Sequence, residues 1–293
     1  MNQYIVKSKW SIPTATEGKI LCTLCPHACV LSEGQRGICR SRAVVEGSLC
    51  SLVYGRACAV CVDPIEKKPL YHFLPGSKIL SIATTGCNLR CPNCQNSHLS
   101  QVAPEEVASD YLPPQAVVEL AKKIGAPSIA YTYTEPFIYY EYVFDTAKLA
   151  QRDGIKNVLV TAGYVNQEPL IELCPYLAAA NVDLKSFDEN FYLKYPKVKL
   201  QHILETLVTL KQHGVWLELT TLIIPTLSDD LVSIKNMCAW IVKELGAETP
   251  LHFSAFFPRY KLQELEPTKL KILLQARELA LACGLKHVHL GNV

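Results

Sequence analysis

Three cysteines, Cys87, Cys91 and Cys94, share one short stretch, Thr84-Thr85-Gly86-Cys87-Asn88-Leu89-Arg90-Cys91-Pro92-Asn93-Cys94-Gln95-Asn96. Thiolates are soft anionic ligands, and three on one loop can grip three irons of a cubic iron–sulfur cluster. The fourth iron is then left without a protein ligand and can bind and reduce a small molecule. Gly86 lets the backbone turn as it leaves the apolar run 79–83, and Pro92 stiffens the segment between the last two cysteines. A structural zinc site is the competing reading, but it wants four closed ligands and the loop supplies three, with His98 just downstream. Unligated thiols fit a loop poorly, because loops run over the surface.

A second group lies upstream, Cys22-x2-Cys25-Pro26-His27-x-Cys29, followed by Cys39 after Gly34 and Gly37. Four thiols separated by glycine turns can close around one tetrahedral zinc or hold an auxiliary iron–sulfur cluster. His27 can replace one thiol or hydrogen-bond a ligand from behind. Cys58 and Cys61 lie in the apolar run 57–62, which reads as buried packing, and Cys50 is similarly loose. Ten of the 13 cysteines fall within the first 94 residues. In a reducing compartment such clustering points to metal rather than disulfides. The later three, Cys174, Cys238 and Cys283, sit in apolar helical contexts and read as core.

Further polar residues stand where strands end. Thr134 and Glu135 close the second strand, and Pro136 biases Glu135 toward an extended backbone, where its carboxylate suits an ammonium group. A helix N-terminal Glu-Pro is the plainer alternative. The third strand ends in Thr161-Ala162-Gly163-Tyr164, with a hydroxyl and a glycine that permits close approach. Asp183 and Lys185 share one face of the fourth, since strand side chains alternate, and can hold a zwitterion or simply pair with each other. The fifth carries Glu218, Thr220 and Thr221. The sixth carries His252, whose spacing does not separate a ligand from a core histidine.

The elements that must position these residues alternate. Strand-like runs at 79–83, 127–131, 157–161, 181–184, 215–224, 251–256 and 286–290 are separated by helical patterns at about 114–124, 138–151, 168–179, 200–213, 229–245 and 267–283. This rhythm predicts an α/β fold, a partial (β/α) barrel of about six strands, with chemistry at the C-terminal strand ends. Residues 1–75 form a separate small Cys-rich region and 76–293 the barrel. The three prolines of 62–76 make a stiff, extended connector between them. With 293 residues, 49% of them hydrophobic, the chain can bury a large core. Its formal net charge of +2 gives no broad basic footprint and argues against nucleic acid as a partner. No run reaches the length of a membrane span, and the first ten residues lack the apolar centre of a signal peptide, so the chain reads as cytoplasmic.

The loop of Cys87, Cys91 and Cys94 on this frame resembles the radical S-adenosylmethionine (SAM) superfamily, and more closely activases of the pyruvate formate-lyase-activating type. The closest resemblance is to the radical SAM enzyme of the AmmeMemoRadiSam system. It rests on Cys25-Pro26-His27-x-Cys29, Asp63-Pro64-Ile65-Glu66-Lys67-Lys68-Pro69-Leu70, the cysteine loop, 131–136, 181–185 and 251–258, and spans nearly the whole chain. It implies a [4Fe–4S] cluster on Cys87, Cys91 and Cys94, with SAM on the open iron. It implies SAM-binding roles for Thr134, Glu135, Thr161, Asp183, Lys185 and His252. Reductive cleavage of SAM would give methionine and a 5′-deoxyadenosyl radical that abstracts hydrogen from a substrate. The resemblance further implies a flavodoxin- or ferredoxin-like electron donor and a protein substrate or Memo- and AMMECR-type partners. Two departures stand out: Ala162 replaces an expected asparagine, and the sequence stops at Gly291-Asn292-Val293 where a cysteine-bearing tail is expected, through a trimmed end or a naturally short member. The competing functions are an RNA- or metabolite-modifying radical enzyme and a non-catalytic iron–sulfur or zinc module.

Overall fold

A computed structural model describes residues 3–293. At its centre lies a sheet of β1 (Ala59–Pro64), β2 (Lys78–Ala83), β3 (Ser128–Tyr131), β4 (Lys156–Thr161), β5 (Ala179–Asp183), β6 (Trp216–Ile223), β7 (Leu251–Ala255) and β8 (Val288–Gly291). The strands lie side by side in chain order. Those from β2 to β8 run parallel, and β1 pairs antiparallel with β2. The sheet is thus mainly parallel, as expected, but it is wider than about six strands: among the described residues seven are parallel and an eighth is added. The extra strand comes from the run 57–62, where buried packing was expected. Instead Val60 and Val62 are exposed, and so is Cys61. An apolar run suits an edge strand as well as a buried one, and Pro64 is tolerated there because an edge needs fewer backbone donors. β1 and β8 are not hydrogen-bonded to each other, so the sheet stays open.

Each of the six crossovers carries one longer helix, α1 (Pro114–Ile124), α2 (Tyr140–Arg152), α3 (Gln167–Leu173), α4 (Leu200–Gln212), α5 (Leu231–Glu244) and α6 (Leu270–Ala282), and short helices at Ser97–Ser100 and Glu189–Lys194 add to the first and fourth. α1 shows why. Pro114 suits a first turn, and Val117, Val118 and Ala121 fall on one buried stripe. Each such valine contributes about 1.5–3 kcal/mol when taken out of water. α3 stops short of the expected 168–179 because Pro175 cannot continue the ladder, and a 3-10 turn, Cys174–Tyr176, follows. Cys174 and Cys238 lie in the core as expected; Cys283, just past α6, is only half-buried.

The opposite face of the sheet is covered by the connector. Ile65 and Leu70 join Ile79, Ala130, Val158 and Ala179, one from each of β2 to β5, in a second apolar cluster, with Phe73 packed on it. Asn181 Nδ2 donates to the Pro69 carbonyl at 2.8 Å, and the Tyr71 and His72 N–H groups donate to Glu218 at 2.9 and 2.8 Å. The connector therefore crosses the inner face from β1 to β6. Before it, residues 6–51 form two small antiparallel sheets of strands two to four residues long. Among the described residues no helix is long and apolar enough to cross a membrane.

Candidate active site

The cysteine loop leaves the C-terminal end of β2, the end at which parallel α/β sheets gather their chemistry. Gly86 has φ +96°, and a Cβ there would overlap Ser41 Oγ and come within 2.5 Å of the Cys39 carbonyl oxygen. The loop and the N-terminal Cys-rich region therefore meet backbone to backbone. Ser41 Oγ donates to the Thr85 carbonyl at 2.7 Å. The Arg90 guanidinium donates to the carbonyls of Cys87 and Leu89, both at 2.9 Å, and to that of Ile38. Asn88 Nδ2 donates to Tyr164 O at 2.8 Å, fastening the loop to the end of β4. Asn96 Nδ2 reaches the carbonyl of Tyr133, a residue held at φ +63°, at 2.9 Å.

Burial pushes the Cys87 thiol well above its ordinary range, and the nearby Glu135 carboxylate and Cys91 add to the rise. Burial likewise lifts Cys91 to about 11, against the pull of Lys185. Such thiols shed their protons only to a strong positive charge, which is what iron supplies. The Leu89 N–H points at Cys87 Sγ from 3.3 Å, and Ser100 Oγ lies 3.2 Å from Cys94 Sγ. Hydrogen bonds of this kind tune a cluster's potential.

Glu135 sits at the β3 end with an extended backbone (φ −104°, ψ 112°), as Pro136 demands. Its carboxylate accepts from Thr161 Oγ1 at 2.5 Å, Ala162 N at 2.9 Å and Phe137 N at 3.3 Å. Burial nevertheless raises its pKa to about 7. Glu135 thus both caps the turn that follows it and joins Thr161 across β3 and β4. Thr134 Oγ1 donates to the Thr84 carbonyl at 2.8 Å, tying the same strand end to the cysteine loop.

Asp183, the last residue of β5, pairs with Lys185 at 2.7 Å. Burial opposes the Lys185 charge, but Asp183 and Cys91 outweigh it and raise its pKa. Lys185 also interacts with Glu135. Cys87, Cys91, Cys94, Glu135, Thr161, Asp183 and Lys185 thus form one electrostatically connected group.

His252 is placed apart. It is level with Asp183 in register but two strands away, and its Nε2 is 2.8 Å from Glu218 Oε2. Tyr71 packs edge-on against its ring at 4.7 Å and His289 stacks at 4.9 Å. The Glu218 carboxylate, buried yet bonded to His252, the connector N–H groups and Trp216, stays below its usual pKa.

The loop fits a cluster. It offers three thiols and no fourth, and it leaves two buried polar atoms, Thr85 Oγ1 and Asn88 Oδ1, without hydrogen-bond partners. Among the described residues no three His, Cys, Asp or Glu side chains are gathered closely enough for a single metal ion. His27 does not reach toward a metal: its Nε2 is 2.7 Å from the Asn88 carbonyl. The sequence pointed to the three thiols but not to Asn88 and Arg90, which brace the loop. Their place between the cysteines was the available signal, whereas nothing in the sequence marked Ser41.

The family model of the radical SAM superfamily matches residues 81–238. The uncharacterized protein MJ0808 of Methanocaldococcus jannaschii is 43% identical over 277 residues, covering 94% of this chain and 82% of its own length. The (2S)-3-sulfopropanediol dehydratase activating enzyme of Klebsiella oxytoca is 24% identical over 202 residues, 66% of this chain and 62% of its own. Among solved structures, a domain of pyruvate-formate lyase-activating enzyme from Bacteroides vulgatus shares the fold, with TM-score 0.50 and 16% identity over 56% of this chain and 98% of that one. The family implies an enzyme of radical chemistry with a [4Fe–4S] cluster and SAM. Matched by that family over more than half its length, and by a relative 43% identical along almost all of it, the chain belongs to the radical SAM superfamily.

Proposed function

We propose that this chain is an activase-like radical SAM enzyme of the AmmeMemoRadiSam type. Cys87, Cys91 and Cys94 hold its cluster, and hydrogen is abstracted from a protein partner. The observation that carries the reading is the convergence of the three-thiol loop with Glu135 and Thr161 on one side and the Asp183–Lys185 pair on the other. When bound, the cluster and SAM supply reductive C–S cleavage and hydrogen abstraction. The residues supply position and charge. Glu135, steadied by Thr161 and Ala162, presents a carboxylate to the methionyl ammonium, and Thr134 holds that strand end against the loop. Lys185 offers a cation to the methionyl carboxylate, and Asp183 keeps the lysine in place. His252 contributes through Glu218 and the connector wall rather than through these groups. Activating-enzyme relatives favour a protein substrate, with Memo- or AMMECR-type proteins as candidates and a flavodoxin- or ferredoxin-like donor supplying electrons.

The test is anaerobic. The reconstituted, reduced protein given SAM should release 5′-deoxyadenosine and methionine, and Cys91→Ala should release none. Lys185→Met should weaken SAM binding about tenfold or more, the loss of one charged hydrogen bond. Wild type that makes no 5′-deoxyadenosine while its cluster is intact and reduced would remove the enzymatic reading.

A further inference from the structure

The N-terminal cysteines come together in space as well as in sequence. Cys22 and Cys29 face each other across the mouth of a hairpin, the Cys22 N–H donating to the Cys29 carbonyl at 2.9 Å. Cys25 rides the tip between them, where its carbonyl accepts from the N–H of Ala28, a residue turned to φ +46°. Cys39 comes from the next turn. A Cβ on Gly37 would lie 3.7 Å from Cys29 Sγ and 3.8 Å from Cys39 Sγ, so these two sulfurs front the same spot. The remaining pairings are electrostatic: Cys25 interacts with Cys22 and Cys39, and Cys39 with Cys22 and Cys29. Cys22 and Cys39 are buried, and the charge of the buried Arg42 guanidinium, itself paired with Glu141, favours the thiolate at both.

We propose that Cys22, Cys25, Cys29 and Cys39 are the four ligands of a second [4Fe–4S] cluster, set against the loop of Cys87, Cys91 and Cys94. The place of the site favours a cluster over zinc: packed against the loop of Cys87, Cys91 and Cys94, its metal can pass an electron on only if it is redox-active, and zinc is not. The one imidazole in the hairpin, His27, is turned to the Asn88 carbonyl. Asn88 then links the two sites. Its side chain lies against the Cys25 thiol, its Oδ1 has no hydrogen-bond partner of normal geometry, and its neighbour in the chain is Cys87. Together with the contact of Cys39 and Ser41 on Gly86, this makes the second cluster a near neighbour of the first. It is an entry point for a one-electron donor of the flavodoxin or ferredoxin class. The donor is oxidised by one electron as the cluster is reduced by one, and no bond or proton changes place.

The inference rests on reading Cys87, Cys91 and Cys94 as the first cluster's ligands, and the test separates the two. Full-length protein is prepared anaerobically, analysed for iron and zinc, and examined by electron paramagnetic resonance after reduction. Wild type should hold about eight irons. The Cys87→Ala/Cys91→Ala/Cys94→Ala variant should keep about four, with a reduced-cluster signal indifferent to SAM. Fully reduced wild type should show spin–spin broadening that this variant lacks. Cys25→Ser/Cys39→Ser should lose about half the iron and keep a SAM-responsive signal; should it not fold, the triple variant decides alone. A triple variant without iron, or one zinc per chain in place of it, overturns the proposal. Iron in the triple variant upholds it even where wild type makes no 5′-deoxyadenosine.

Discussion

Glu135 is held between two opposed forces. Burial drives its pKa up from 4.5, while Thr161, Ala162 and Phe137 each stabilise the ionised form, and the balance lies at about 7. The folded, cofactor-free chain therefore binds this proton more tightly than the unfolded chain does. Its contribution to stability is complete below about pH 4.5, declines as pH rises toward 7, and is flat beyond, where both states are ionised. At about 1.4 kcal/mol per pH unit the decline amounts to a few kcal/mol. Denaturant melts of the apo chain from pH 5 to 8 should show it, and Glu135→Gln should flatten the slope. The glutamine amide also sets an N–H against one of the three donors, so the slope is the readout rather than the absolute stability. Unchanged pH dependence in that variant would place the titration elsewhere. An ammonium ligand beside the carboxylate works the other way, favouring the ionised form, so SAM should bind Glu135→Gln about tenfold more weakly or worse.

At the scale of elements, the junction of the cysteine loop with the N-terminal hairpins is a close approach that only glycine permits. Gly86→Ala combines a strained φ of +96° with overlap of Ser41 and Cys39. Gly76, at φ +76°, has nothing within 4 Å of its would-be Cβ and isolates the backbone cost alone. Gly76→Ala should cost about 1 kcal/mol and Gly86→Ala roughly 2–4 kcal/mol, with impaired iron uptake in the latter alone. Equal melting temperatures for the two would mean that the junction yields freely. That junction was invisible in the sequence, although much around it was legible. Strands buried on both faces read as unbroken apolar runs, so β2 to β8 and their helices, α3 excepted, appeared close to their true bounds. The Cys87 loop was legible because ligand spacing is local chemistry. The N-terminal strands, two to four residues long, are too short to show a period. β1 was hidden for a different reason: Val60, Cys61 and Val62 are apolar yet lie on an edge, where composition and exposure part company. Thr161 and Glu135 could each be placed at a strand end from sequence, but their hydrogen bond depends on which strands are neighbours.

Across the whole molecule, the connector between the Cys-rich region and the sheet acts as a wall rather than a tether. Lys68 is buried on the inner face, with its Nζ 2.7 Å from Asp63 Oδ2 on β1 and 3.2 Å from Tyr133 Oη beyond β3. Asp63 Oδ2 also accepts from Tyr133 Oη at 2.6 Å and Ser81 Oγ at 3.0 Å. Burial lowers the Lys68 pKa, with Asp63 opposing the fall, and the hydrogen bonds from Lys68 and Tyr133 hold the Asp63 carboxyl below its usual range despite its own burial. Tyr133 is the residue whose carbonyl Asn96 grips, so this pair supports the far end of the cysteine loop from across the sheet. Breaking one side of a buried pair strands the other charge, so Lys68→Met should destabilise the chain by about 3–5 kcal/mol. Asp63→Asn with Lys68→Met leaves neither charge and should recover more than about 1 kcal/mol of that loss, a coupling that a double-mutant cycle of chemical melts reads directly. If Lys68 serves only stability, the rescued double variant should bind SAM as wild type does. Tighter folding without restored SAM affinity would show instead that the pair sets the position of Tyr133 and, through Asn96, of the loop itself. The geometry favours this second outcome, because Tyr133 is held at a positive φ with its carbonyl on Asn96 and its hydroxyl and ring on the Asp63–Lys68 pair.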